Sequence, residues 1–199
     1  MTSTTKAAGR TTLAQKTFAQ KAAMVLAGTA VLALASQIAV PFYPVPMTLQ
    51  TAAVLAIGMA YGARLGAVTV LAWLGQAAVG LPVLSGFGAT AALVGPTAGF
   101  LAGFVGMAWL AGAATDRGIR HPLALAGVAL VASALLYVPG LAWPMALASA
   151  TGIEAGWAGM APGATLAAFA TPFLLGDAVK AVLVGLAVSG ALAALRRRT

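Results

Sequence analysis

Long apolar runs fill most of the chain, and short polar or proline-rich segments separate them. A helix needs about 20 mostly apolar residues to cross a bilayer. Six runs are candidates, and we predict transmembrane helices at about 22–40, 48–63, 65–80, 97–114, 122–147 and 164–195. The fifth is expected to bend near Pro139 and Pro144, because proline interrupts helical hydrogen bonding. The pattern predicts an all-α integral membrane protein, folded as a compact bundle of six helices.

Basic residues predict the orientation of this bundle. With the N-terminus inside, every Lys and Arg between predicted helices falls on the inner side, at Arg64 and at residues 117–120. Both termini are also basic, whereas the predicted loops at about 41–47, 81–96 and 148–163 contain no Lys or Arg. Positive residues concentrate on the cytoplasmic side of membrane proteins. We therefore predict that both termini are cytoplasmic.

The first 21 residues are rich in Thr, Ala and Lys, and we predict a mobile basic tail there. Residues 22–199 then form the six-helix membrane domain. One alternative is a signal peptide, since Lys21 precedes an apolar run and the sequence Ala33-Leu34-Ala35 resembles a cleavage site. The long basic segment before that run argues against it. Removing the first helix would also break the charge pattern.

Composition supports the membrane assignment. The chain of 199 residues is 61% hydrophobic and 7% charged, against about 45–50% and about 25% in soluble domains. The net charge of +8 would indicate nucleic acid in a soluble protein. Here the cations flank apolar runs, which indicates topology and contact with anionic membrane lipid, and no nucleic acid partner. The chain has no cysteine, which excludes disulfides and thiolate metal sites.

Asp177 and Lys180 are isolated charges within the last predicted helix. Their i, i+3 spacing places them on one helix face. Lys180 lies sixteen residues before Arg196, which is about 24 Å along a helix, too far to reach the cytoplasmic headgroups. A charge at the membrane centre costs about 2.5–3.5 kcal/mol on insertion scales. The pair predicts a site for a small polar ligand, unless the two side chains only neutralise each other and fix helix packing.

The outer loops contain further candidate ligand contacts. Thr48 and Gln50 follow a loop stiffened by three prolines. Gly86 and Gly88 would let the backbone of the second outer loop approach a ligand closely. Thr97 begins the fourth predicted helix, whose first N–H groups could meet a negative group. Ordinary turn formation would explain the same residues.

Other features concern partners and chemistry. The first predicted helix carries small-xxx-small pairs such as Ala23 and Ala27, which let helices approach closely in lipid, either within the bundle or against another subunit. His121 is the only histidine. No metal cluster, nucleophile–base pair or phosphate-binding loop is visible, so we predict no enzyme, cofactor or metal site. A proton-coupled transporter using Asp177 or Glu154 stays possible on these residues.

Several motifs resemble one family. These are PVPMTLQ, GARLGA, GLPVL and LVGPTAGF within residues 44–104, and GDAVK at residues 176–180, which is similar to a GD-x-x-K element. Their order and spacing resemble the BioY family, the biotin-binding S components of energy-coupling-factor (ECF) transporters. The stretch LSGFGATA is a residue shorter than in many members and carries Phe87.

The resemblance implies a six-helix protein of a bacterial plasma membrane with a biotin pocket near its outer face. Asp177 and Lys180 would contact biotin, and the loops at residues 44–50 and 86–97 would close over it. An alanine-rich face of the first helix would dock on the transmembrane coupling subunit, and ATPase subunits would complete the transporter. We assign that face to Ala23, Ala27 and Ala30. The alternatives are another vitamin as ligand, a proton-coupled transporter or a purely structural subunit, and a homo-oligomer is also compatible.

Overall fold

The computed structural model of the chain describes residues 17–41 and 46–197, with side chains up to Leu195. The predicted mobile tail lies largely outside this part. The described helices are α1 (Phe18–Gln37), α2 (Gln50–Ala78), α3 (Ala98–Asp116), α4 (Pro122–Ala142), α5 (Ala148–Ala150), α6 (Pro162–Phe169) and α7 (Leu174–Arg197). Two short strands, β1 (Ala39–Val40) and β2 (Met47–Thr48), and 3₁₀ turns at Ser85–Phe87 and Thr90–Val94 complete the architecture.

The α2 segment is a hairpin of two helices. Its backbone leaves the helical region at Gly62, where φ is 79° and ψ is 172°. A Cβ atom on Gly66 would lie 2.9 Å from the Cα atom of Gly58, although residues eight apart in a straight helix are about 12 Å apart. The chain therefore doubles back at Gly62, a conformation that only glycine adopts readily. The two halves correspond to the second and third predicted helices on either side of Arg64.

The first helix begins earlier than the predicted start at residue 22. Thr17 caps it, because its Oγ1 accepts a hydrogen bond from the Gln20 N–H at 3.3 Å. The Gln20 Oε1 accepts one from the Thr17 N–H at 3.0 Å. This reciprocal arrangement satisfies two N–H groups at the helix start. After Gln37 the chain becomes extended, and β1 pairs antiparallel with β2 across the first outer loop.

The last predicted helix is broken. Helix α6 ends at Phe169, residues 170–173 form turns, and α7 begins at Leu174. Pro172 lies in this break, and proline cannot continue a helix from a preceding turn without losing a hydrogen bond. A bend was predicted near Pro139 and Pro144; α4 continues through Pro139, and a π-helical turn, Trp143–Leu147, contains Pro144. The charged residues predicted to lie within a long helix therefore lie in the first two turns of α7.

Small residues bring the helices together. A Cβ atom on Gly58 would meet the backbone of Ala108 in α3, and one on Gly185 would meet the backbone of α4 at Ala126. Close packing of this kind drives helix association in lipid, where apolar burial contributes little. The interior includes Trp73 and Phe104, whereas large apolar side chains such as Leu34 and Leu175 are exposed on the surface of the bundle. That distribution fits a protein surrounded by lipid.

Five described helical segments are long and apolar enough to cross a membrane: Phe18–Gln37, Gln50–Ala78, Ala98–Asp116, Pro122–Ala150 and Leu174–Leu195. Because Gln50–Ala78 doubles back, the chain follows the order of the six predicted helices. The chain is an all-α, multi-pass membrane protein, as predicted. Lys21, Arg64 and Arg117 line one depression at the Gly62 end of the bundle. The cytoplasmic placement of that end stays a prediction from these charges.

Candidate functional site

A cavity of about 290 Å³ lies between two of the predicted outer loops and residues of five helices, α2, α3, α4, α6 and α7. This volume lies near the lower end of the range of about 300–1,000 Å³ for small-molecule pockets. Polar side chains cluster in one part of its lining: Thr48, Gln50, Thr51, Tyr137, Asp177 and Lys180. The apolar part includes Met47, Leu84, Ala92, Phe100, Leu101, Phe104, Leu136, Phe169 and Phe173. The cavity therefore suits a small ligand with one polar end and an apolar body.

Asp177 is the centre of the polar part. It lies in the first turn of α7, and only 8% of the residue is exposed. Its Oδ1 accepts hydrogen bonds from Lys180 Nζ at 2.6 Å and from Thr51 Oγ1 at 3.2 Å. Its Oδ2 accepts one from the Tyr137 hydroxyl at 2.6 Å. Donors from α2, α4 and α7 thus hold the carboxylate in one orientation.

Lys180 joins this carboxylate to the first outer loop. Its ammonium donates to Asp177 and also to the backbone carbonyl of Thr48 at 3.0 Å. Thr48 ends β2, and its own Oγ1 accepts a hydrogen bond from the Gln50 N–H at 3.3 Å. An ammonium has three donors, and the described partners use two of them. The third donor has no partner among the described residues.

The structure brings together six of the eight residues predicted to contact a ligand. Thr48, Gln50, Gly86, Thr97, Asp177 and Lys180 all line the cavity. Phe87 and Gly88 are not among the lining residues. The Phe87 side chain is 71% exposed, and the Gly88 carbonyl accepts a hydrogen bond from the Leu84 N–H, which closes the turn of the loop.

The sequence analysis assigned neither Thr51 nor Tyr137 to the site. Their hydrogen bonds to Asp177 span 126 and 40 residues, so no local spacing reveals them. Phe100 supports Tyr137 from α3 through an edge-on ring contact, with centroids 5.7 Å apart and planes at 89°. Trp143 donates its Nε1–H to the Gly95 carbonyl at 2.9 Å and so fixes the loop that precedes α3.

The two faces of α1 have different surroundings. Gly28, Thr29 and Leu32 are buried against the rest of the bundle. Ala23, Ala27 and Ala30, in contrast, are exposed. This geometry leaves the alanine face open to another subunit or to lipid, which the sequence alone did not decide.

The other residues suited to metal or acid–base chemistry lie apart from this cavity in the described part of the chain. Among the described residues, no group of three His, Cys, Asp or Glu side chains could hold a metal ion. His121 precedes α4 and is exposed, and Glu154 is exposed in the loop after α5. Glu154 does not line the cavity. Asp177 is therefore the one acidic side chain of the described residues that reaches it.

Comparison with known proteins places the chain in a family. The model of the BioY family matches residues 4–197. "Biotin transporter BioY" of Rhodobacter capsulatus is 38% identical over 150 residues, which are 72% of this chain and 77% of that protein. "Biotin transporter BioY2" of Lactococcus lactis subsp. cremoris is 31% identical over 173 residues, which are 85% of this chain and 90% of that protein.

A solved structure shares the fold. The crystal structure of the S-component for biotin from an ECF-type ABC transporter superposes with a TM-score of 0.66 at 24% identity. The superposition covers 88% of this chain and 94% of that one. The fold agrees with the match of the family model over nearly the whole length. This chain belongs to the BioY family.

Proposed function

We propose that this chain captures biotin from the outer side of the membrane, as the substrate-binding S component of an ECF-type transporter. The observation that carries the proposal is the buried Asp177–Lys180 pair, which lies beside an apolar, partly aromatic wall in one small cavity. Its relatives are named as biotin transporters. The role is binding and transport rather than catalysis.

The chemistry of biotin fits the two parts of the cavity. Biotin has a ureido ring with two N–H donors and a carbonyl at one end. A thioether ring and an aliphatic tail form its apolar body, and the tail ends in a carboxylate. The apolar body would pack on Phe100, Phe104, Phe169 and Phe173. Burial of apolar surface would supply much of the affinity, and the polar part would supply the specificity.

The free hydrogen-bonding capacity of the ion pair favours the ureido group as its ligand. A carboxylate offers about four acceptor positions, and three protein donors already occupy Asp177. Lys180 retains one donor beside it. In a cyclic urea an N–H and the C=O lie side by side on one edge. Asp177 would accept the ureido N–H, and Lys180 would donate to the ureido oxygen.

The same arrangement disfavours the biotin carboxylate at Lys180. A second negative group there would lie close to Asp177, and like charges in a site of low dielectric repel strongly. We assign the tail carboxylate to another part of the cavity. The first turn of α3 at Thr97 is the candidate, because N–H groups at a helix start favour anions.

The partners follow from the S-component assignment. The exposed alanines of α1, at residues 23, 27 and 30, form the face proposed to dock on a transmembrane coupling subunit. Small side chains there would let a partner helix approach closely. ATPase subunits would then supply the energy. The basic end of the bundle would face the cytoplasm, and the cavity would open outward.

Calorimetric titration of the purified protein in detergent tests the identity of the ligand. We expect tight binding of biotin, no binding of thiamine or riboflavin, and little loss of affinity for an uncharged amide of biotin. Affinity for the amide should be retained because Lys180 is proposed to contact the ureido oxygen and not the tail carboxylate. A folded protein that does not bind biotin would refute the proposal. Selective binding of another vitamin would show that this vitamin, and not biotin, is the ligand.

A further inference from the structure

One side chain from α1 holds both ends of the loop segment that covers the cavity. The Gln37 Nε2 donates to the carbonyl of Leu84 at 2.9 Å. The Gln37 Oε1 accepts a hydrogen bond from the N–H of Phe87 at 3.2 Å. Three residues of this segment, Leu84, Ser85 and Gly86, line the cavity. The amide of Gln37 therefore bridges the segment at residues 84–87.

Neighbouring residues fix the base of the same loop. The hydroxyl of Ser36, which is fully buried, shares its one proton between the Ala33 carbonyl at 2.6 Å and the Val83 carbonyl at 2.9 Å. Trp73 donates its Nε1–H to the same carbonyl at 3.0 Å. Ser36 also accepts a hydrogen bond from the Gln37 Nε2 at 3.0 Å. The base at Val83 thus has two anchors, whereas the segment beyond it is attached to α1 through Gln37.

Leu84 belongs to the hydrophobic core and holds the start of the segment. Ser85, Gly86 and Phe87 are not buried, so this part of the segment has little besides Gln37 to hold it closed. Phe87 adopts a φ of 57°, a left-handed conformation that is unfavourable for a side chain of this size, and its ring is 71% exposed. A loop with few buried contacts opens more easily than the core. Its closed conformation therefore depends on the hydrogen bonds from Gln37.

We propose that Gln37 is a positioning residue that clamps the segment at residues 84–87 over the cavity and so controls how fast the ligand enters and leaves. The proposal deepens, and rests on, the assignment of this cavity as a biotin site. Loops of this kind gate exchange because the ligand can pass only while they are open. Since the clamp belongs to the last residue of α1, a displacement of that end of α1 would release the segment.

Two variants and a matched control test the clamp. Gln37→Ala removes both hydrogen bonds. Gln37→Glu keeps an acceptor for the Phe87 N–H but places a carboxylate oxygen against the Leu84 carbonyl. Gln76→Ala is the control, because Gln76 also joins α2 to α1, through a hydrogen bond from Nε2 to Thr29 Oγ1 at 3.1 Å, away from the loop.

The first readout is hydrogen–deuterium exchange of the ligand-free protein. Both Gln37 variants should raise the exchange rates of the hydrogen-bonded amides in the loop, those of Leu84, Phe87 and Gly88, by about tenfold, as expected when the closed conformation loses a hydrogen bond. Exchange in the helices should not change, and Gln76→Ala should leave the loop at the wild-type rate. Unchanged loop exchange in both Gln37 variants, or an equal increase in the control, would overturn the clamp.

The second readout is the kinetics of biotin binding. Opening the segment should raise the association and the dissociation rate constants together, by about tenfold, so that the Kd changes less than either rate. Rate constants equal to those of the wild type would overturn the gating role even if exchange rises. A wild-type protein that binds no biotin would refute the ligand assignment instead, and the exchange experiment would still decide whether Gln37 holds the loop.

Discussion

Removing one charge of the Asp177–Lys180 pair separates its structural from its functional role. Asp177→Asn preserves the size of the side chain but leaves the Lys180 ammonium without the counter-ion that lies at 2.6 Å. Breaking a buried ion pair in this way costs about 3–5 kcal/mol of folding free energy. Lys180→Gln leaves the carboxylate with its donors from Thr51 and Tyr137. Its cost is therefore expected at the lower end of that range.

The double variant, Asp177→Asn with Lys180→Gln, buries neither charge. Replacing both members of a buried pair by neutral side chains is often neutral for stability. We therefore expect the double variant to be no less stable than either single variant, which means that the two substitutions are strongly non-additive. Thermal unfolding in detergent would measure this difference for all three variants.

Biotin binding should not recover with the stability. Each hydrogen bond between a charged group and the ligand contributes about 1.5–3 kcal/mol, so each single variant should weaken binding by about 10- to 150-fold. The double variant should bind at least as weakly as either single variant, as measured by calorimetry. A double variant that binds biotin like the wild type would refute a ligand-binding role and leave the pair with helix packing alone.

Three further substitutions test separate parts of the structure. Tyr137→Phe removes the donor at 2.6 Å from Asp177 and should weaken biotin binding by about tenfold while the fold is retained; an unchanged Kd in calorimetry would contradict this. Gly185→Ala places a Cβ atom against the α4 backbone and should cost about 1–3 kcal/mol of stability, whereas Gly190→Ala, where the space is open, should cost none. Equal melting temperatures for these two glycine variants would refute the contact. Ser133 has a buried hydroxyl with no hydrogen-bond partner among the described residues, so Ser133→Ala should leave the melting temperature unchanged or raise it, and a marked decrease would reveal a partner.

The order of the helices could be read from the sequence because hydropathy and charge change together at their ends. Arg64 marked the turn between the second and third helices, and the structure reverses the chain beside it at Gly62. The break between α6 and α7 was missed, although Pro172 was visible. Apolar composition continues through residues 170–173, and hydropathy does not distinguish an apolar turn from an apolar helix.

The site could be predicted only where its residues are neighbours in the chain. Asp177 and Lys180 lie one helical turn apart, so their spacing revealed a shared face. Thr51, Tyr137 and Gln37 reach their partners across 126, 40 and 47 residues. Such contacts depend on how the helices pack, and a single sequence carries no local signal of that packing.

The structure of the protein with biotin bound tests the central claim most directly. We predict that the ureido ring lies at the polar end of the cavity, with an N–H within hydrogen-bond distance of an Asp177 carboxylate oxygen and the ureido oxygen within reach of Lys180 Nζ. The apolar body should pack on the phenylalanine wall, with the carboxylate away from Asp177. A biotin carboxylate bound to Lys180, or biotin bound outside this cavity, would contradict the account.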